Sequence, residues 1–286
     1  MYEYDAIDIS VNNQVATIMI LTSPKKPVDR PLVHPELASA FSRLREDNSV
    51  RVIVLTGDED RFQIAPPRDF FDNNEIGARF NEPDIAWASF SGIIRVHQNM
   101  VEIEKPIVAK INGDAIGFGS SLAFASDIII AKEDARFMDH HMGGVFSANY
   151  AGITKEGGHD WATVPGDGGA ALVPMYMTPA KAKEYLMLAK TYTAAELARL
   201  GIINYAVPAE ELDTKVEEIV GSLLQRSAYA LAWAKRVANR RVAQHLNLTL
   251  DAGVAYEMVT WLQREKLGWK DKKTLDSGVD GSSEKS

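Results

Sequence analysis

Lys105 to Ala123 is the stretch best suited to chemistry. Pro106-Ile107-Val108-Ala109-Lys110-Ile111 is an apolar strand, and it ends at Asn112-Gly113. Glycines follow at 117 and 119, and then a segment of helical character begins. Backbone N–H groups at such a turn and helix start have no partner within the helix and can hold a negative oxygen. Glycines there also suit a tight strand-to-helix connection by packing alone, and the pattern by itself leaves both readings open. The chain has no cysteine. That excludes disulfides, thiolate zinc sites and cysteine nucleophiles, so six histidines must supply any imidazole chemistry.

The elements around this stretch point to an α/β class with a mainly parallel sheet. Ile7 to Val11 alternates apolar and polar, Asn12-Asn13 turns, and Val15 to Ile20 returns, which predicts a β-hairpin. Pro35 to Arg45 carries Leu37, Phe41 and Leu44 at helical spacing. Val52-Ile53-Val54-Leu55 and Asp127 to Ala131 read as strands buried on both faces, with a long helix from Ile85 to Ile103. Strands alternating with helices define the class. The second half is more helical. Thr178-Pro179 starts a helix over 180–190, Thr193 to Glu196 is a capping box, and Gly201 ends the short helix that follows. A strand is expected over Ile202 to Val207. An apolar stripe from Leu212 to Leu224 then marks another helix, with further helices over 228–243 and 247–266. This divides the chain into a core over 1–207, a helical region over 208–268 and a polar tail over 269–286 expected to be disordered.

The chain has 286 residues, enough for one or two domains with a sizeable core. Hydrophobic residues make up 46% and charged residues 24%, which excludes disorder as the main state. The formal net charge of −8 disfavours nucleic acid as a partner. No apolar run reaches the roughly 18–20 residues that span a bilayer, and Met1 to Asp5 carries no signal-peptide pattern. A cytoplasmic protein without membrane association is expected. No metal constellation is apparent, and no cofactor is expected.

Pro-Ile-Val-Ala-x-Ile-Asn-Gly-x-Ala-x-Gly-x-Gly, followed by Ser126-Asp127-Ile128, resembles the signature of the crotonase (enoyl-CoA hydratase/isomerase) superfamily. Val164 to Gly169, Tyr185-Leu186 and Ala198 to Asn204 continue the resemblance in the expected order, over about residues 5–265. It implies a spiral of ββα units and a helical C-terminal region that builds trimers or dimers of trimers. It also implies an oxyanion hole of two backbone N–H groups. One donor is expected at Phe118. The other lies in Phe62 to Pro67, where Pro66 falls at the donor position and has no N–H, so the role passes to Ala65 or that half of the hole is altered. The same loop contacts coenzyme A in the family.

The acid–base positions depart from the two-glutamate hydratases. Ser121 stands at the first glutamate and His141 at the second, with His140 beside it. A histidine with an oriented carboxylate can activate water. His141 and Asp167 resemble the pair found in 6-oxocamphor hydrolase-like β-diketone hydrolases, which cleave a C–C bond by a retro-Claisen reaction without CoA. His34 and Glu257 fall at further active-site positions of that branch. The expected roles are Asp167 orienting His141, His141 activating water, and Glu257 and His34 positioning substrate or moving protons.

Between His141 and Asp167 the relatives have a short connection, whereas this chain carries an extra segment over about 146–163. Its glycines suggest a loop, and Phe146, Tyr150 and Trp161 suggest an apolar wall that sets substrate size, with Phe118 and Ser121 completing the substrate site. His159-Asp160 reads best as an exposed loop pair. A free β-diketone hydrolase leads this reading. An acyl-CoA hydratase, isomerase or other thioester enzyme is the alternative, and a non-catalytic scaffold the third.

Overall fold

A computed structural model describes residues 3–22, 25, 33–65, 83–150, 153–158 and 163–267. The N-terminal strands β1 (Ile7–Asn12) and β2 (Val15–Ile20) form the expected antiparallel hairpin. Helix α1 (Val33–Glu46) follows, burying Leu37, Phe41 and Leu44 on one face. Next come β3 (Val52–Gly57) and β4 (Arg61–Gln63). Helix α2 (Pro83–Glu102) leads to β5 (Ile107–Ile111), β6 (Asp114–Ile116) and α3 (Phe118–Ala125). Strands β7 (Ile128–Lys132), β8 (Arg136–Met138), β9 (Val145–Tyr150) and β10 (Ile153–Gly158) complete the middle of the chain.

Two sheets build the core. The larger runs β1-β2-β3-β5-β7 and ends on β12 (Tyr205–Val207), all parallel except the first pair. All six residues of β3 are buried, as expected for a strand covered on both faces. The smaller sheet orders β11 (Tyr192–Thr193), β8, β6 and β4, with β4, β6 and β8 mutually parallel. Each turn of the winding adds one strand to each sheet, and the short strands end together at the glycine turn between β6 and α3. The strand expected over 202–207 is confined to its last three residues, because Gly201 (φ 70°) and the residues after it complete the exit from a helix.

Helices α4 (Gly169–Tyr176), α5 (Pro179–Met187) and α6 (Ala194–Arg199) follow the site segment. The capping box forms as written. Thr193 Oγ1 accepts from the Glu196 N–H at 3.2 Å, and the Glu196 carboxylate accepts from the Thr193 N–H at 2.8 Å. The C-terminal region holds α7 (Leu212–Leu224), α8 (Ala228–Ala238) and α9 (Arg240–Leu267). The break expected near 243–247 is absent: α9 is one helix of 28 residues, starting directly after the Asn239 cap of α8. The expected disordered tail lies outside the described residues. Among those residues, no helix is long and apolar enough to cross a membrane.

The extra segment is a hairpin rather than an irregular loop. Strands β9 and β10 pair antiparallel, Val145 opposite Gly158 through Tyr150 opposite Ile153. Phe146 is buried in a small cluster with Ile64, Ala65, Ile116 and Met138. The Arg136 guanidinium donates to the Ser147 carbonyl at 2.7 Å and bonds Asp114, which fixes the hairpin to β6 and β8. Pro66, Pro67, His159, Asp160 and Trp161 lie outside the described residues.

Candidate active site

The site begins where the short strands end. Gly117 has φ 62°, a conformation that favours glycine, and its N–H donates to the Met138 carbonyl at 2.8 Å. Any Cβ there would enter the His140 ring. The turn places Phe118 first in α3, so its N–H belongs to the first helical turn, whose donors lack acceptors within the helix. The other expected half of the oxyanion hole lies alongside. A Cβ on Gly119 would strike the Gln63 carbonyl, so the chain at 63–65 packs directly on the glycine turn. Ala65 is buried there.

His141 follows β8 by three residues and is the centre of a buried polar cluster. Its Nδ1 lies 2.9 Å from Asp139 Oδ1, which also accepts the His141 backbone N–H at 3.1 Å. Its Nε2 faces Asp167 Oδ2 at 3.6 Å and Glu257 Oε1 at 3.7 Å. All four side chains are buried. The orienting carboxylate is therefore Asp139, not Asp167 as the sequence reading had it. The reason is local: the Asp139 carboxylate accepts the backbone N–H two residues on, where the chain leaves β8 and turns, and this bond brings the His141 ring beside it. Asp167 takes the opposite ring nitrogen.

Asp167 is placed by the turn that opens α4. Gly168, with φ 109°, is the residue before the helix, and Asp167 accepts the Gly169 N–H. Ser121 Oγ donates to Asp167 Oδ1 at 3.4 Å from the facing helix α3. A side chain on Gly169 would collide with Asp139 Oδ2. Glu257 arrives from α9, which approaches this turn closely: a Cβ on Gly166 would stand 2.6 Å from both Glu257 Oε2 and the Gly253 carbonyl. Thr260 Oγ1 accepts the Val164 N–H at 3.2 Å and ties helix to turn.

The charges follow from these distances. Burial pushes the His141 imidazole down, but Asp167, Asp139 and Glu257 outweigh it and hold the pKa well above 6.5, so the ring carries a proton at neutral pH. Burial raises the Asp139 carboxyl, yet its bonds to His141 bring it below the ordinary value. Asp167 is raised to about 6 by burial against the opposing pull of His141. Glu257 is raised to about 8, chiefly by burial. At pH 7 the cluster thus holds imidazolium, two carboxylates and a carboxylic acid. Asp139, His141 and Asp167 also offer ligand atoms within 4.8 Å of one another, the spacing a metal ion could use.

The other histidines are placed differently. His140 lies between Gly117 and His141, the two ring centres 4.6 Å apart, and burial together with the His141 charge pushes its pKa down to about 3. His34, half-buried at the start of α1, stands edge-on to Phe118 at 4.3 Å and shares a 3.0 Å hydrogen bond with Ser89. It stands on the Phe118 side of the glycine turn. His97, which the sequence reading did not single out, is fully buried in α2 and also meets the Phe118 ring edge-on, at 5.7 Å. A lone histidine on an apolar helix face gives no sequence signal of a site. Asp139 did have one, in the two-residue spacing from His141.

Residues 11–266 match the family model described as enoyl-CoA hydratase/isomerase, and the chain belongs to that family. It is 30% identical over 222 residues to a carnitinyl-CoA dehydratase of Proteus mirabilis, covering 77% of this chain and 75% of that protein. It is 29% identical over 205 residues to a crotonyl-CoA hydratase of Syntrophomonas wolfei, covering 71% and 70%. Among solved structures, an enoyl-CoA hydratase/isomerase from Mycobacterium paratuberculosis superposes with TM-score 0.74 at 22% identity, covering 90% and 93%. A β-diketone hydrolase from the cyanobacterium Anabaena sp. PCC 7120, bound to (S)-3-oxocyclohexyl acetic acid, superposes with TM-score 0.73 at 23% identity, covering 90% and 94%. The crotonase fold expected from the sequence is thus shown.

Proposed function

We propose that this enzyme hydrolyses a C–C bond in a cyclic or bulky β-diketone, without CoA. The observation that carries the reading is the buried Asp139–His141–Asp167 arrangement beside the glycine turn, with Ser121 where the two-glutamate hydratases keep a glutamate. Asp139 fixes the His141 ring and keeps a proton on Nδ1. Asp167, ionised above about pH 6, takes a proton from water, and His141 stays charged beside it. The oxygen of that water bonds to one carbonyl carbon. The resulting oxyanion is held by the Phe118 N–H, with Ala65 on the facing chain. Collapse breaks the bond to the central carbon, whose electron pair becomes the enolate of the second carbonyl. The proton gained by the cluster returns to that carbon, giving a keto acid. Assigning the water proton to Asp167 rather than His141 departs from the sequence reading, because the carboxyl groups around His141 favour its protonated form. The β-diketone hydrolase among the solved structures supports the same class of chemistry for this fold.

Hydration of an enoyl-CoA is the second reading. The two named sequence relatives act on CoA thioesters, and a protonated Glu257 with an ionised Asp167 is an acid–base pair that water addition can use. A panel of cyclic 1,3-diketones, followed by loss of ultraviolet absorbance, against crotonyl-CoA separates the two. The expected result is a kcat/KM for at least one diketone about a hundredfold or more above that for the thioester. The reverse ranking would replace this reading with the second. Self-association, as trimer or dimer of trimers, is supported by exposed Tyr229, Trp233 and Val237 on α8 and Leu248, Tyr256 and Leu262 on α9, and light scattering measures it.

A further inference from the structure

Ser120 lies in the first turn of α3 and is fully buried. Its hydroxyl donates to the Gly117 carbonyl at 3.0 Å. Serines in helices commonly bond a carbonyl three or four residues back. Here that carbonyl belongs to the peptide whose N–H is that of Phe118, the oxyanion donor assigned above. A carbonyl oxygen has two lone pairs, and the Ser121 N–H approaches the same oxygen at 3.2 Å. The Ser121 hydroxyl is farther off at 3.5 Å and faces Asp167 instead.

Peptide geometry carries this bond to the site. In a trans peptide the C=O and N–H point in opposite directions within one plane, and no cis bond occurs among the described residues. Holding the Gly117 oxygen towards Ser120 therefore aims the Phe118 N–H away from α3. The residue on the other side lends little stiffness. Gly117 has φ 62° and ψ −120°, and glycine permits the rotation that would swing this N–H aside. The bond from the Gly117 N–H to the Met138 carbonyl, at 2.8 Å, fixes only the preceding peptide.

We propose that Ser120 is a positioning residue of the oxyanion hole, whose hydroxyl locks the Gly117–Phe118 peptide with its N–H turned towards the reacting carbonyl oxygen. The bond also polarises the peptide. A hydrogen bond accepted at the carbonyl strengthens the N–H of the same unit as a donor, by about 10–30%. Ser120 thus acts on the oxyanion through the backbone, without touching substrate. The inference rests on the oxyanion role given to Phe118, which the diketone and thioester readings share.

Ser120→Ala removes the hydroxyl and little else. On whichever of the cyclic 1,3-diketones or crotonyl-CoA the wild type turns over, it should lower kcat about fivefold to fiftyfold and leave KM within about twofold, less than the loss of an oxyanion donor outright. Ser120→Cys keeps a weaker donor of similar size and should fall between the two. An alanine variant with wild-type kcat, or a cysteine variant no better than alanine, contradicts the proposal. A substrate-free test uses protein labelled with 15N-phenylalanine, which reports on ten amides. The Phe118 signal should shift or broaden more than the others in Ser120→Ala and partly return in Ser120→Cys; an unmoved Phe118 signal overturns the proposal. A wild type that hydrates crotonyl-CoA and ignores every diketone would sink the hydrolase reading and leave both tests of Ser120 intact.

Discussion

Around the first turn of α3, two buried histidines meet opposite electrical surroundings. His141 has three carboxyl groups around it, with Asp139 on Nδ1 and Asp167 and Glu257 facing Nε2. His97 has a backbone carbonyl on one nitrogen and the edge of Phe118 nearby. Burial lowers the pKa of both, yet the carboxylates reverse the sign at His141, while His97 ends at about 4. Residue type thus leaves the protonation state open, and the neighbours decide it. One side of the turn is rich in titratable protons, and the other is neutral and apolar.

The comparison breaks most completely at Asp167. Asp167→Asn removes the proposed proton acceptor while keeping size and the Ser121 contact, and should cost about 10²–10⁴ in kcat, read from steady-state kinetics on the turned-over diketone. Asp139→Asn should come next. Without that carboxylate the His141 pKa falls and the ring can turn, so activity drops and the alkaline limb of the pH profile moves to lower pH. For the wild type, kcat/KM should rise as pH passes through about 6, where Asp167 ionises, and fall only well above 6.5, as His141 loses its proton.

Stability should carry the same signature. The folded-state pKa values of Glu257, Asp167 and His141 are all raised, so at these three sites the folded protein holds protons that the unfolded chain has released, whereas His34, His97 and His140, lowered to about 3 or 4, act in the opposite sense below 6.5. The contribution of the first three is complete below the unfolded pKa values. For Glu257 it declines as pH rises from 4.5 through about 8, and for His141 it declines above 6.5. Glu257→Gln should flatten this decline and raise stability at pH 8 by about 1 kcal/mol or more relative to wild type, measured by urea unfolding at several pH values.

Two smaller changes sharpen the contrast by leaving the polar cluster alone. Phe146→Ala empties the cluster that seats the β9–β10 hairpin on Ile64 and Ala65. It should cost about 3 kcal/mol in stability and raise KM more than it lowers kcat, if the hairpin forms a wall of the substrate site. Thr193→Ala removes the capping box of α6 and should cost about 1 kcal/mol with unchanged kinetics.

Much of this was legible in the sequence, for reasons that differ by element. Strand β3 and the β1–β2 hairpin were readable because their apolar patterns are local and need only one period. The capping box at Thr193 was readable because its bonds span three residues. Asp139 was missed although its spacing from His141 carries the contact, because a carboxylate beside two histidines reads equally as a polar loop. His97 was out of reach: what makes it notable is its ring packed on the backbone of Gly168, and residues 97 and 168 are brought together only by the packing of α2 against the spiral. The hairpin at 145–158 reads as a loop in the sequence because glycine-rich, mixed sequence weakens a strand pattern even where the ladder forms.

The most direct test of the account is hydrolysis of a cyclic β-diketone doubly substituted at its central carbon in isotopically labelled water, with the product analysed by mass spectrometry. Such a substrate cannot lose a proton between its carbonyls, so it reports C–C cleavage alone. The account predicts a ring-opened keto acid with one solvent oxygen in the new carboxylate, formed by wild type and abolished by Asp167→Asn. An unchanged diketone alongside rapid hydration of crotonyl-CoA would contradict it.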